Sequence, residues 1–186
     1  LQKYGCQIST KLREKFVGAS SRSLCEKLKT EYNLPTSVDE LIDLQWTTII
    51  ELLPQSGIKA SVGLFELLEF LKKQGKIIAI VSSSRKDFID AVIDHLNIRD
   101  KIDFVINGFQ VKNGKPAPDI YLLASETCKI EPSNCIVIED STNGTKSGKN
   151  AGMTVIGYNN PTSGNQDISS ADYIVNSLGD ILGFLK

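Results

Sequence analysis

Apolar residues recur at helical spacing through the first third of the chain and in short unbroken runs through the rest. Ser9 or Thr10 is positioned to cap a short helix ending near Gly18, after a polar run at residues 2–5 that has the look of a helix end. A second helix is predicted over residues 21–32. Ser37, Val38, Asp39 and Glu40 have the spacing of a capping box, and behind it Leu41, Leu44, Ile49, Leu52 and Leu53 form a broad apolar stripe up to Pro54. No strand pattern precedes residue 76. Ser61 is read as the cap of a helix carrying Leu64, Phe65, Leu67, Leu68 and Leu71 and stopped by Gly75. Residues 77–81 are continuously apolar, as in a strand buried on both faces. A helix with Phe88, Val92, Ile93 and Leu96 follows, then a strand at 104–106. Residues 116–128 are read as a helix with proline in its first turn. A strand at 136–138 and a small-residue helix at 141–151 come next, closed by Gly152. Strands at 154–156 and 173–175 and a last helix at 178–185 complete the pattern.

Strands alternating with helices predict an α/β fold, a Rossmann-like three-layer arrangement with a parallel sheet between two layers of helices. The all-helical stretch ahead of it reads as a separate cap. The division is placed at residues 1–57 for the cap and 58–186 for the core. There is no internal repeat, and the polar run at 159–170 reads as a surface loop.

Composition narrows the function classes. At 186 residues with 41% apolar and 23% charged positions, the chain can bury a core in one domain plus a modest insertion. A net charge of −1 argues against nucleic-acid binding, which needs a basic face. Cys6, Cys25, Cys128 and Cys135 have no metal-site spacing and read as free thiols of a reducing, cytoplasmic compartment. No apolar run approaches the roughly 20 residues that span a bilayer. The single histidine, His95, has no acidic or thiol companions in the pattern and reads as a helix-surface residue. A monomer or weak dimer is expected.

In an open parallel sheet, ligands sit beyond the carboxyl ends of the strands, so the polar residues there are the candidates. Ser82, Ser83, Ser84 and Arg85 follow the first strand, at a helix start whose free N–H groups suit an anion. A serine there could equally be a helix cap, which accounts for one of the three. Lys115 lies between Gly114 and the Pro116-Ala117-Pro118 turn, which aims its ammonium; Asp119 supports the following helix. Glu139 and Asp140 end another strand, where two adjacent carboxylates repel and lose hydration. A hard divalent cation would relieve that, and Mg²⁺ accepts one or two carboxylates with water and phosphate. Asp140 could instead cap the next helix. Together the three stretches form a kit for a phosphoryl group and Mg²⁺, with no histidine base beside the serines to make a triad.

These residues resemble the motifs of the haloacid dehalogenase superfamily, and within it the β-phosphoglucomutase-like group of phosphatases and mutases. Ile80 to Ser84 are similar to its second motif, Gly114 to Asp119 to its lysine motif, and Val137 to Ser141 with Gly144 to its acidic motif. The resemblance implies that Ser82 hydrogen-bonds the transferring phosphoryl group and that Lys115 balances its charge. It implies that Asp140 ligates Mg²⁺ with Glu139 ligating or orienting that shell. The Ser83 N–H could join Ser82, and the resemblance implies that Ser84 and Arg85 contact a second phosphate or the substrate. The substrate class it leads one to expect is a small phosphorylated metabolite such as a sugar phosphate.

Two departures matter. The family's first motif, an apolar strand ending in Asp-x-Asp-Gly that supplies the nucleophile, does not occur in the sequence. Its central strand is therefore also missing, and roughly 15–25 further residues are expected upstream of Leu1; the fragment alone is expected to be inactive. Phe16 to Arg22 are similar to the cap's substrate loop, but Ser21 stands where mutases place an arginine and Arg22 is one position on. The leading expectation is a Mg²⁺-dependent phosphatase working through an aspartyl-phosphate intermediate. The alternatives are a sugar-phosphate mutase of the same group and a non-catalytic binding module that keeps the fold. A dehalogenase fits the acidic pair poorly.

Overall fold

The computed structural model describes residues 21–185. The elements expected within residues 1–20, including the loop at Phe16, Val17, Gly18, Ala19 and Ser20, lie outside them. The chain divides into two compact units, Leu1–Gln55 and Ser56–Lys186.

In the first unit, α1 (Ser21–Glu31) packs on α2 (Val38–Leu52), and a 3-10 turn, Leu53–Gln55, takes the chain past Pro54. Cys25, Leu28, Leu34 and Leu41 are buried between the two helices. The capping box forms: Glu40 N–H donates to Ser37 Oγ (3.1 Å) and Ser37 N–H to Glu40 Oε2 (2.8 Å). The hydroxyl of Thr36, then the Ser37 backbone and hydroxyl, lower the Glu40 carboxyl to about 2. A depressed carboxyl stabilises the fold above its unfolded value of 4.5, and that contribution is lost as pH falls from there towards 2. Between about pH 6 and about pH 3, Glu40→Gln should therefore lose less melting temperature than the wild type, read by circular dichroism.

The second unit holds five parallel strands in two sheets. In the first, β1 (Ala79–Ser82) pairs with β2 (Phe104–Asn107), Ala79 opposite Phe104 and Ser82 opposite Asn107. In the second, β4 (Thr154–Tyr158) lies between β3 (Ile136–Glu139) and β5 (Tyr173–Val175). Alternate side chains go to opposite faces. Ile78, Ile80 and Val105 pack under α3 (Leu64–Lys73) and α4 (Lys86–His95), whereas Val81 and Ile106 meet α5 (Asp119–Cys128). Val137 and Val155 join that second cluster, and α3 also reaches Ile156, Tyr158 and Val175 through Leu67. Helices on both faces thus tie the two sheets into one core.

Among the described residues, β1 pairs only with β2, and β3 only with β4. Ile78 O accepts from Phe104 N–H on the β2 side, and Cys135 O accepts from Thr154 N–H on the β4 side. By alternation, the peptide groups of Ala79 and Val81, and of Ile136 and Ile138, face away from those partners. The run at 77–81, expected to be buried on both faces, is half wet at its start, where Ile77 is 47% exposed; Ile136 at the start of β3 is 50% exposed.

The helix α6 (Thr142–Asn150) has two glycines and no large apolar residue, yet Thr145 and Ser147 are fully buried in it. Small side chains let its backbone approach the sheet. A Cβ on Gly148 would come within 2.8 Å of Val155. Thr145 Oγ1 returns to Ser141 O, and Ser147 Oγ reaches Ala117 O (2.6 Å).

Three expected boundaries differ. Ser61 does not cap α3; Gly63 occupies the cap position at φ +85, where a Cβ would lie 2.1 Å from Gly179 N. Backbone-on-backbone packing, not a hydroxyl, sets that start. The helix expected from Pro116 begins at Asp119, because residues 114–117 close a turn (Ala117 N–H to Gly114 O, 3.0 Å), with a cis bond before Pro116. The last helix is a 3-10 segment, Leu178–Gly183, in a stretch interrupted by two glycines.

Candidate functional site

The polar strand ends meet around one open cleft of about 450 Å³, lined by Ser82, Ser83, Ser84, Lys115, Glu139, Asp140 and Ser141, with Asn160 and Tyr158 from the end of β4. Lys115 and Glu139 are its centre. Their side chains are 10% and 9% exposed and form an ion pair. The ammonium also donates to Tyr121 OH (3.2 Å) and approaches Val81 O (3.5 Å) on the open edge of β1. The loop that carries Lys115 is held from two sides. Asn113 donates to Asp119 Oδ1 (2.9 Å), and from α6 Asn150 reaches Pro116 O (2.9 Å) while Ser147 reaches Ala117 O.

Glu139 is saturated. Oε1 accepts from Lys115 and from Tyr121 OH (2.7 Å), while Oε2 accepts from Asp140 N–H, Ser141 N–H and Ser141 Oγ. Burial, then the neighbouring Glu139 carboxylate, push the Tyr121 phenol well above its ordinary range, so it stays protonated and donates. Asp140 is held differently. Its Oδ2 accepts from Asn160 Nδ2 (2.7 Å) and Ser163 Oγ (2.5 Å), while Oδ1 takes no hydrogen bond among the described residues. Ser141, not Asp140, caps α6, receiving Gly144 N–H at 3.0 Å.

The serines are not caps either. Arg85 stands at the cap position of α4 without a side-chain cap bond. Ser84 N–H donates to Ser82 Oγ (3.2 Å), closing the turn that brings all three serines to the cleft. The Arg85 guanidinium lies on Asp87 (3.0 Å) and is not among the cleft's lining residues. Arg22, in the first unit, pairs with Asp39 at 2.6 Å. His95 touches Ile58 O at 3.3 Å, outside the cleft lining.

Tyr121, Asn160 and Ser163 were not singled out from the sequence. Asn160 lies two positions past the end of β4, so extending the strand-end rule to that strand would have found it. Tyr121 gave no signal, because a tyrosine on the buried face of a helix looks like core. No group of three metal-binding side chains occurs among the described residues. Mg²⁺ does not need one: it keeps several waters and takes one or two carboxylates. Asp140, which lines the cleft and has one oxygen without a hydrogen bond among the described residues, fits that demand; both oxygens of Glu139 already accept bonds.

The family described as Haloacid dehalogenase-like hydrolase matches residues 1–158, and the chain belongs to that family. It is 32% identical over 182 residues to a bifunctional riboflavin kinase/FMN phosphatase of Arabidopsis thaliana, covering 97% of this chain and 48% of that protein. It is 30% identical to a phosphorylated carbohydrates phosphatase of Thermotoga maritima, covering 82% of this chain and 70% of the other. Among solved structures, a β-phosphoglucomutase from Clostridium difficile superimposes with a TM-score of 0.75 at 26% identity, over 99% of this chain and 83% of that one. The chain thus spans about half the length of the Arabidopsis relative.

Proposed function

We propose that the protein to which this chain belongs is a Mg²⁺-dependent phosphatase of a small phosphorylated metabolite, with a sugar phosphate as the leading substrate class. The observation that carries the reading is the convergence of Lys115, Ser82 and the Glu139–Asp140 pair on one cleft. Lys115 would neutralise a phosphoryl oxygen, Ser82 and the Ser83 N–H would donate to it, and Asp140 would hold Mg²⁺. The ion would supply charge for phosphate binding. Phosphatase relatives from Arabidopsis and Thermotoga support the class.

The described part of the cleft offers no third carboxylate to attack phosphorus. We place the nucleophilic aspartate at the end of an extended segment seated between the open edges of β1 and β3. There its peptide groups would satisfy both edges and its carboxylate would lie beside Lys115. Attack would give an aspartyl phosphate, which water cleaves. Hydrolysis is favoured over sugar-phosphate isomerisation because Ser21 stands where mutases of the group place a phosphate-holding arginine, with Arg22 one position on.

A screen of phosphorylated metabolites for Mg²⁺-dependent orthophosphate release by the parent protein tests this. Asp140→Asn should lower release about 100-fold or more, with most of the loss recovered by no amount of added Mg²⁺. Unchanged turnover in Asp140→Asn would overturn the reading. An isomerised sugar phosphate in place of free phosphate would assign the mutase.

A further inference from the structure

The loop after β4 folds back over the start of α6 through a run of polar bonds. Asn160 Nδ2 and Ser163 Oγ both donate to Asp140 Oδ2. Asn160 Oδ1 is itself fixed by Thr162, from N–H (3.1 Å) and from Oγ1 (2.8 Å). Gln166 Oε1 receives Thr142 N–H (3.1 Å), its Nε2 donates to Ser163 O (3.3 Å), and Asp167 N–H donates to Thr142 Oγ1 (2.8 Å). The segment therefore grips both residues that flank Ser141, the cap of α6.

Two features give this grip a chemical direction. Both donors to Asp140 are neutral, so the carboxylate keeps its full charge for another partner. Both also fall on one oxygen, Oδ2. Two donors on that oxygen restrain the carboxylate, and Oδ1 of this cleft-lining residue takes no hydrogen bond among the described residues. Glu139, one residue earlier, is the contrast: five donors, one of them the Lys115 ammonium, occupy both of its oxygens. The pair is split into a carboxylate that anchors the lysine and one that is turned outward.

We propose that Asn160 and Ser163 are positioning residues that hold Asp140 one-sided, so that Oδ1 alone is its oxygen for a divalent cation, and that Glu139 does not ligate the ion directly. This rests on the metal role given to Asp140 above. Mn²⁺ stands in for Mg²⁺ in the test, and its binding to the full chain is titrated by the loss of the free-ion electron paramagnetic resonance signal. Asn160→Ala and Ser163→Ala should each weaken Mn²⁺ binding about 10-fold or more, the scale on which residues that orient a metal ligand act. Ser163→Thr, which keeps the hydroxyl, should bind like the wild type. If both alanine variants bind normally while Asp140→Asn loses the ion, the positioning role is wrong and the metal role stands. If the wild type takes up no more Mn²⁺ than a protein-free control, or Asp140→Asn binds the ion as the wild type does, the metal role fails and this proposal with it. Equal losses in Ser163→Thr and Ser163→Ala would trace the effect to loop packing and overturn it.

Discussion

Lys115→Met should remove phosphate turnover and destabilise the fold together. The ammonium and the Glu139 carboxylate are nine-tenths buried, and removing one member strands the other's charge out of water. Breaking such a pair costs roughly 3–5 kcal/mol. The lower end is expected here, because Tyr121 and Ser141 still donate to Glu139. Urea unfolding followed by circular dichroism measures that loss. Turnover of the parent protein should fall about 100- to 1,000-fold, the scale for deleting one charge-stabilising donor. The double variant Lys115→Met/Glu139→Gln separates the two effects. With no stranded charge it should recover most of the stability and none of the turnover. A single variant that unfolds within about 1 kcal/mol of the wild type would mean that water reaches the pair and screens it.

Gly144→Ala should be the second most damaging change, and its sign is diagnostic. In an ordinary exposed helix, glycine to alanine gains about 0.5–1 kcal/mol. At Gly144 the new Cβ would fall 2.0 Å from the Glu139 Cδ and 2.1–2.2 Å from its oxygens. The carboxylate would have to leave five donors, and Lys115 would lose its counter-charge with it. Overpacking of this kind costs about 1–3 kcal/mol. The variant should melt below the wild type and lose turnover by about 100-fold, since Lys115 is no longer aimed. A stabilised Gly144→Ala protein would show that Glu139 has a second, equally good seat.

The strand-end rule was enough to read the centre of the site. Ser82, Glu139 and Asp140 close or follow short apolar runs, Lys115 lies between Gly114 and the Pro116-Ala117-Pro118 turn, and the fold delivers all four to one cleft. What escaped was what holds them. Tyr121 sits six positions after Lys115, across a turn whose shape depends on Pro116 and on bonds from α6, so spacing alone could not bring its hydroxyl to Glu139. The 159–170 segment was legible as polar and therefore read as surface; its bonds to Asp140 and Thr142 exist only once β4 and α6 lie side by side. The capping box at Ser37 was fully local and was read correctly. The start of α3 was not, because a contact with Gly179, far along the chain, decides it.

The composition of α6 has a consequence for how binding and folding are coupled. Two glycines and a run of short polar residues give this segment little tendency to coil by itself. Its backbone rests closely on Val137 and Val155. Yet its cap, Ser141, helps seat Glu139, and its middle pins the Lys115 turn. Recognition of an oxyanion should therefore vanish in one step with the globule itself, leaving no half-melted form that still binds. A phosphate analogue would then act as a thermometer for the intact core, raising its melting point by mass action in proportion to the logarithm of its concentration.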